Sequence, residues 1–141
     1  MSTRSLIGIQ EKDGSVRFIY NHHDGYPSYT GRMLKAHYNT PERIKELMDL
    51  GDISVLDENI GGKIDFDDYE TRKANKQVLA YGRDRNESGS EAKTTKSPTA
   101  FRRMLGKYWS DYLYLYTLDG RWVFSGGKAF QPLTAEEIKK D

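Results

Sequence analysis

The strongest constraint on this chain is the run Tyr112-Leu113-Tyr114-Leu115-Tyr116-Thr117-Leu118, followed by Asp119-Gly120 and then Arg121-Trp122-Val123-Phe124. Strict alternation has the period of a strand, and Asp-Gly suits the tight turns that join antiparallel strands. The segment therefore predicts a β-hairpin with two unlike faces. Tyr112, Tyr114 and Tyr116 share one face, Leu113 and Leu115 the other, and Trp122 and Phe124 can extend the aromatic face across the turn. The Leu face is expected to meet helices. The Tyr face is expected to be partly exposed, where it can pair across strands, anchor a protein partner or stack bases.

A second hairpin opens the chain. Leu6, Ile7 and Ile9 form one apolar run and Val16, Phe18, Ile19 and Tyr20 another, separated by Glu11-Lys12-Asp13-Gly14-Ser15. Helical signals fall between the hairpins. Arg32 to Tyr38 has helical spacing. Thr40-Pro41 supplies an N-cap and a first-turn proline, ahead of the stripe Ile44, Leu47, Met48. Ser97-Pro98 repeats that signal ahead of Phe101, Met104, Leu105 and Tyr108. Gln77 to Tyr81 reads as a short strand, and Gly82 to Lys96 as a polar loop. The expected class is α+β: a mainly antiparallel sheet of about five strands, with N- and C-terminal hairpins, packed against about three helices. Residues 1–130 are expected to form one domain. Residues 131–141 read as a polar tail that frays or makes a short helix from Thr134.

Composition narrows the possible chemistry. In 141 residues there is no Cys, which excludes disulfides, thiol nucleophiles and thiolate metal sites. Aromatic residues are 12% of the chain, too many for wholesale disorder. The opening residues lack the apolar core of a signal peptide, and no stretch reaches the ~20 apolar residues of a membrane span, so a cytoplasmic protein is expected. The net charge of +1 conceals two opposed blocks. Glu46 to Glu70 holds nine acids and one base; Thr71 to Tyr108 holds ten bases and three acids. The blocks either cancel against each other in the fold or form separate contact surfaces.

Two loops hold candidate functional groups. His22-His23-Asp24 offers an acid–base pair or metal donors. Adjacent His residues on extended backbone point to opposite faces, however, and two or three donors fall short of a zinc set, so no metal and no cofactor are expected. Alternatively, Asp24 simply orders its loop. Gly82-Arg83-Asp84-Arg85 places two guanidinium groups two residues apart, suited to a phosphate or a partner carboxylate, with Asp84 as a local counter-charge. The dinucleotide, phosphate-loop, nucleophile-elbow and zinc-helix fingerprints are absent.

Several strings are familiar together. They are Thr3-Arg4-Ser5, then Tyr20-Asn21-His22-His23-Asp24-Gly25-Tyr26-Pro27, Leu50-Gly51-Asp52-Ile53-Ser54, and Tyr81-Gly82-Arg83-Asp84-Arg85. In these the chain resembles a family of small uncharacterised proteins carried by bacteriophages and prophages. The match covers most of residues 1–92, and the family pattern maps onto Arg4, His22, Asp24, Gly25, Tyr26, Arg83, Asp84 and Arg85. The resemblance implies a virus-encoded accessory protein in the cytoplasm of an infected bacterium. By analogy, such a protein binds and inhibits a host factor, foremost a component of a nucleic-acid-targeting defence system such as CRISPR-Cas. Charge would steer the encounter, and Tyr112, Tyr114, Tyr116 and Trp122 would anchor it. The alternative is a nucleotide or nucleic-acid binder that sequesters a signal molecule, with Arg83 and Arg85 on phosphates. A third reading is a small hydrolase using His22 and Asp24.

Overall fold

A computed structural model describes residues 2–139. The N-terminal hairpin forms as expected. Strands β1 (Ser5–Gln10) and β2 (Val16–Asn21) pair antiparallel, from Ser5 against Asn21 to Gln10 against Val16. Asp13 stabilises the turn by accepting both the amide and the hydroxyl of Ser15. A single π-helical turn (Pro27–Gly31) runs into α1 (Arg32–His37), and α2 (Pro41–Leu50) follows. Thr40 caps α2 through the Arg43 amide, and Ile44, Leu47 and Met48 are fully buried. The chain continues through β3 (Ile53–Val55), α3 (Tyr69–Asn75), β4 (Leu79–Ala80), α4 (Tyr81–Arg85) and β5 (Lys93–Thr95). It ends with α5 (Pro98–Lys107), β6 (Tyr112–Tyr116), β7 (Trp122–Ser125), β8 (Gln131–Pro132) and α6 (Ala135–Lys139).

The α+β class stands, but the sheet differs from the expected five antiparallel strands. It is mixed and has eight strands, in the order β4-β3-β2-β1-β6-β7-β8, with β5 also on β2. The first and last hairpins are joined by a parallel pairing of β1 with β6, Ser5 against Tyr112 through Ile9 against Tyr116. The outer edge of β2 is shared: β5 takes Val16 to Phe18, and β3 takes Asn21. The short strand expected within Gln77–Tyr81 is present as β4, and the three unexpected strands, β3, β5 and β8, have only two or three residues each, too short for alternation to be visible. The expected loop Gly82–Lys96 contains most of α4 and all of β5. In the expected tail, Gln131–Pro132 pair with β7, and Leu133 is buried; Lys140 and Asp141 lie outside the described residues.

Helices cover both faces of the sheet. On one face α1 and α2 pack on Ile7, Ile9, Ile19, Tyr114, Tyr116, Trp122 and Phe124. On the other, Phe101 of α5 packs on Leu6, Val16, Phe18, Leu113 and Leu115. This changes the meaning of the tyrosine ladder. Tyr114 is fully buried, Tyr116 and Trp122 nearly so, and Tyr112 partly. Their polar atoms reach carbonyls at the sheet's rim: Tyr114 donates to Gly25 at 2.7 Å, Tyr116 to Asn39 at 3.2 Å, and Trp122 Nε1 to Tyr38 at 2.8 Å. The expected aromatic contact face is core, because α1 and α2 lie over it.

Among the described residues no helix is long and apolar enough to cross a membrane.

Candidate functional site

The two conspicuous loops serve the architecture. Gly25 sits where a Cβ would lie 2.8 Å from Ser5 Cβ and 2.9 Å from the Arg4 carbonyl carbon, and its amide donates to Thr3. The Thr3-Arg4-Ser5 string and the Asp24-Gly25 string therefore meet, and only a residue without a Cβ permits the approach. Buried Asn21 ties Ser5 to Thr30, and the Thr30 hydroxyl donates to the Asp24 carbonyl. Asp24 itself has φ +55°, and its carboxylate accepts a long 3.4 Å bond from Tyr26.

Arg83 is engaged entirely within the chain. Nε donates to Asp84, one terminal nitrogen to the carbonyls of Ile60 and Gly61, and the other to Val78 and Asp84. All five N–H donors of a guanidinium are thereby occupied. The Asp84 side chain is completely buried, and it also accepts the amides of Ile64 and Ala80. This clamp fastens the irregular 56–64 segment to β4 and α4, and it leaves Arg83 nothing with which to grip a phosphate. Arg85 differs: it is half-exposed, lies over the rings of Phe66 and Tyr81, and pairs with Glu87 at 2.9 Å.

His22 and Arg85 come to the same side of the sheet through Tyr20. The Tyr20 hydroxyl and His22 Nδ1 are 2.7 Å apart. Tyr20 also lines a cleft of about 300 Å³ with Asp52, Tyr81, Arg85 and Glu87. Neither Asp24 nor Arg83 lines it. Burial, with His23 and Arg4 nearby, lowers the His22 pKa and favours neutral imidazole. Burial also raises the Asp52 carboxyl, against the opposing pull of the Tyr20 amide and of Lys93, 3.7 Å away. His22 and Asp24 do not form the hydrogen-bonded pair that a hydrolase dyad needs, because His22 Nδ1 faces Tyr20. Among the described residues, no group of three or more His, Asp or Glu side chains is gathered to hold a metal ion.

The charge blocks cancel only in part. Asp57 pairs with Arg72 at 3.0 Å and Asp52 with Lys93. Asp65, Asp67, Asp68 and Glu70 stay exposed, and so do Lys96, just ahead of α5, and Arg103 and Lys107 on it, with Arg102 half-buried. Among the described residues those four cations enter no ion pair.

The end of α5 breaks two local rules at once. The Ser110 amide donates to Leu105 and the Trp109 amide to Gly106, the bonding pattern of a Schellman helix end. Trp109 occupies its left-handed position, φ +54°, a slot normally filled by Gly. A side chain there costs roughly 1 kcal/mol or more, yet the indole is 80% exposed and recovers no burial. Three residues earlier, inside the helix, stands Gly106, where a Cβ would meet nothing within 4 Å and Ala would be better by about 0.5–1 kcal/mol. Trp109 lines an open hollow of about 430 Å³ with Ser2, Arg4 and Asp111. Gly106 and Trp109 lie outside the apolar stripe of the helix, which runs through Phe101, Met104, Leu105 and Tyr108. The visible signal was Lys96, Arg103 and Lys107 opposite Phe101, Met104 and Tyr108.

No family model, curated protein or solved structure matches the chain.

Proposed function

We propose that the chain is a virus-encoded accessory protein that binds and inhibits a host factor in the infected bacterium, foremost a component of a nucleic-acid-targeting defence system such as CRISPR-Cas. The resemblance in residues 1–92 supplies the viral context. The observation that supports binding is Trp109, four-fifths exposed in a conformation the fold does not favour. Local rules are broken where function needs it, and an exposed Trp beside Arg is the composition of an interaction hot spot. The contact surface moves from the tyrosine ladder, which is core, to α5, Trp109 and the hollow at Arg4. Arg83 drops out as a phosphate ligand because its donors are occupied within the chain.

The test is phage plating on a bacterium whose CRISPR array targets that phage. Expression of the wild-type chain is expected to restore plaques, and Trp109→Gly is expected to abolish the rescue at an unchanged or higher melting temperature. Absence of rescue by the wild type, or full rescue by the variant, overturns the proposal.

A further inference from the structure

We infer that the outer face of α5 and Trp109 form a contact surface for single-stranded nucleic acid, the phosphates lying along Lys96, Arg102, Arg103 and Lys107 and a base stacking on the indole. This rests on the binding reading above and names the chemistry of what is bound.

Three independent observations converge on the face. First, its cations are uncompensated. Arg102, Arg103 and Lys107 follow one another on one helix, with Lys96 just ahead of it, and no carboxylate pairs with any of them among the described residues. Arg103 and Lys107 are one turn apart, about 6 Å along the axis. A row of positive charge with no internal partner matches a polyanion. Second, the aromatic group lies at the end of that row, solvent-exposed and with its ring free of any aromatic neighbour among the described residues. Stacking on such a ring requires an unpaired base, which selects a single strand over a duplex. Third, Gly106, on the same helix between Arg103 and Lys107 in sequence, is exposed, and a Cβ there would touch nothing within 4 Å. A backbone can approach the helix closely there.

An acidic protein surface is the competing occupant. Lys is depleted in the cores of protein–protein interfaces, and two of the four cations here are Lys, so the composition favours phosphates. The hollow beside Trp109 holds Arg4 together with Asp111, so it adds no net charge to the row.

The experiment uses the purified full chain and a fluorescein-labelled oligothymidylate, with binding read by anisotropy across a salt series. Binding is expected at low salt. Trp109→Gly, which relaxes the helix end, is expected to weaken it between about fivefold and a hundredfold. Arg103→Gln with Lys107→Gln is expected to flatten the dependence of log K on log salt by about 1.4, at ~0.7 per lost phosphate contact. Circular dichroism melts of both variants verify folding. Lack of binding at low salt, an undiminished affinity in Trp109→Gly, an unchanged salt slope in the double variant, or tighter binding of labelled polyglutamate than of the oligonucleotide would each overturn the inference. If the oligonucleotide fails to bind while wild-type rescue of plating persists, the inhibitor reading stands and this one falls. If the oligonucleotide binds and rescue is absent, the reverse holds.

Discussion

Arg83 and Arg85 are two residues apart in the sequence, yet the structure assigns them opposite fates. Replacing Arg83 by Ala removes the cation paired with Asp84, whose side chain has no exposure at all. Taking one partner from a buried ion pair costs roughly 3–5 kcal/mol, because the remaining charge stays desolvated and unpaired. The carbonyls of Ile60, Gly61 and Val78 lose their donor in the same step. Against a total stability of about 7–20 kcal/mol for a chain of this size, that is a large fraction. Arg83→Ala should therefore lower the melting temperature by roughly 10–15 °C. Arg85→Ala removes an ion pair with exposed Glu87 and stacking over Phe66 and Tyr81, together about 1 kcal/mol or less. Urea unfolding of the two variants, side by side, makes the comparison. An Arg83→Ala protein within about 0.5 kcal/mol of wild type would refute the clamp and return Arg83 to the pool of ligand-binding residues.

Three further outcomes follow from single positions. Gly25→Ala should destabilise by several kcal/mol, since the new methyl would lie within 3 Å of Arg4 and Ser5, backbone included; a near-normal urea midpoint would contradict the contact. Gly106→Ala should stabilise by about 0.5–1 kcal/mol, because the position is helical, open and needs no glycine conformation; a loss of stability in thermal melts would count against its being structurally idle. Asp52 has its carboxyl raised by burial, so its folded form prefers the proton. That preference stabilises the fold below the ordinary value of 3.8 and is lost as pH rises through the folded-state value. Asp52→Asn should thus match or exceed wild type at neutral pH, with wild type gaining on it in acid. A variant less stable at neutral pH, with the gap closing in acid, would show that the Lys93 pair dominates.

Much of the fold was legible because its signals are local. Thr40-Pro41 and Ser97-Pro98 mark two helix starts, and Asp13-Gly14 and Asp119-Gly120 mark two hairpins, through chemistry confined to a few residues. The parallel pairing of β1 with β6 was not legible: it joins segments about a hundred residues apart, and neither strand carries a mark of its partner. Alternation placed Tyr114 and Tyr116 on one face correctly, but it could not show that the face is covered, since coverage depends on where α1 and α2 dock. Arg83 and Arg85 look equivalent in the sequence because the carbonyls that saturate Arg83 come from elsewhere in the chain: Ile60 and Gly61, in a stretch with no periodicity, and Val78, just ahead of β4. Trp109 was missed for the opposite reason. It belongs to no stripe, and its significance appears only when its positive φ and its exposure are seen together.

The division between strings that build the fold and a free surface that makes contact is tested most directly by photocrosslinking. A thiouridine-containing oligonucleotide would be irradiated with the purified chain and the modified peptides mapped by mass spectrometry. Crosslinks confined to residues 96–109 and Arg4 are the predicted result; crosslinks concentrated in Tyr81–Arg85 or Tyr112–Tyr116, or none at all, would contradict it.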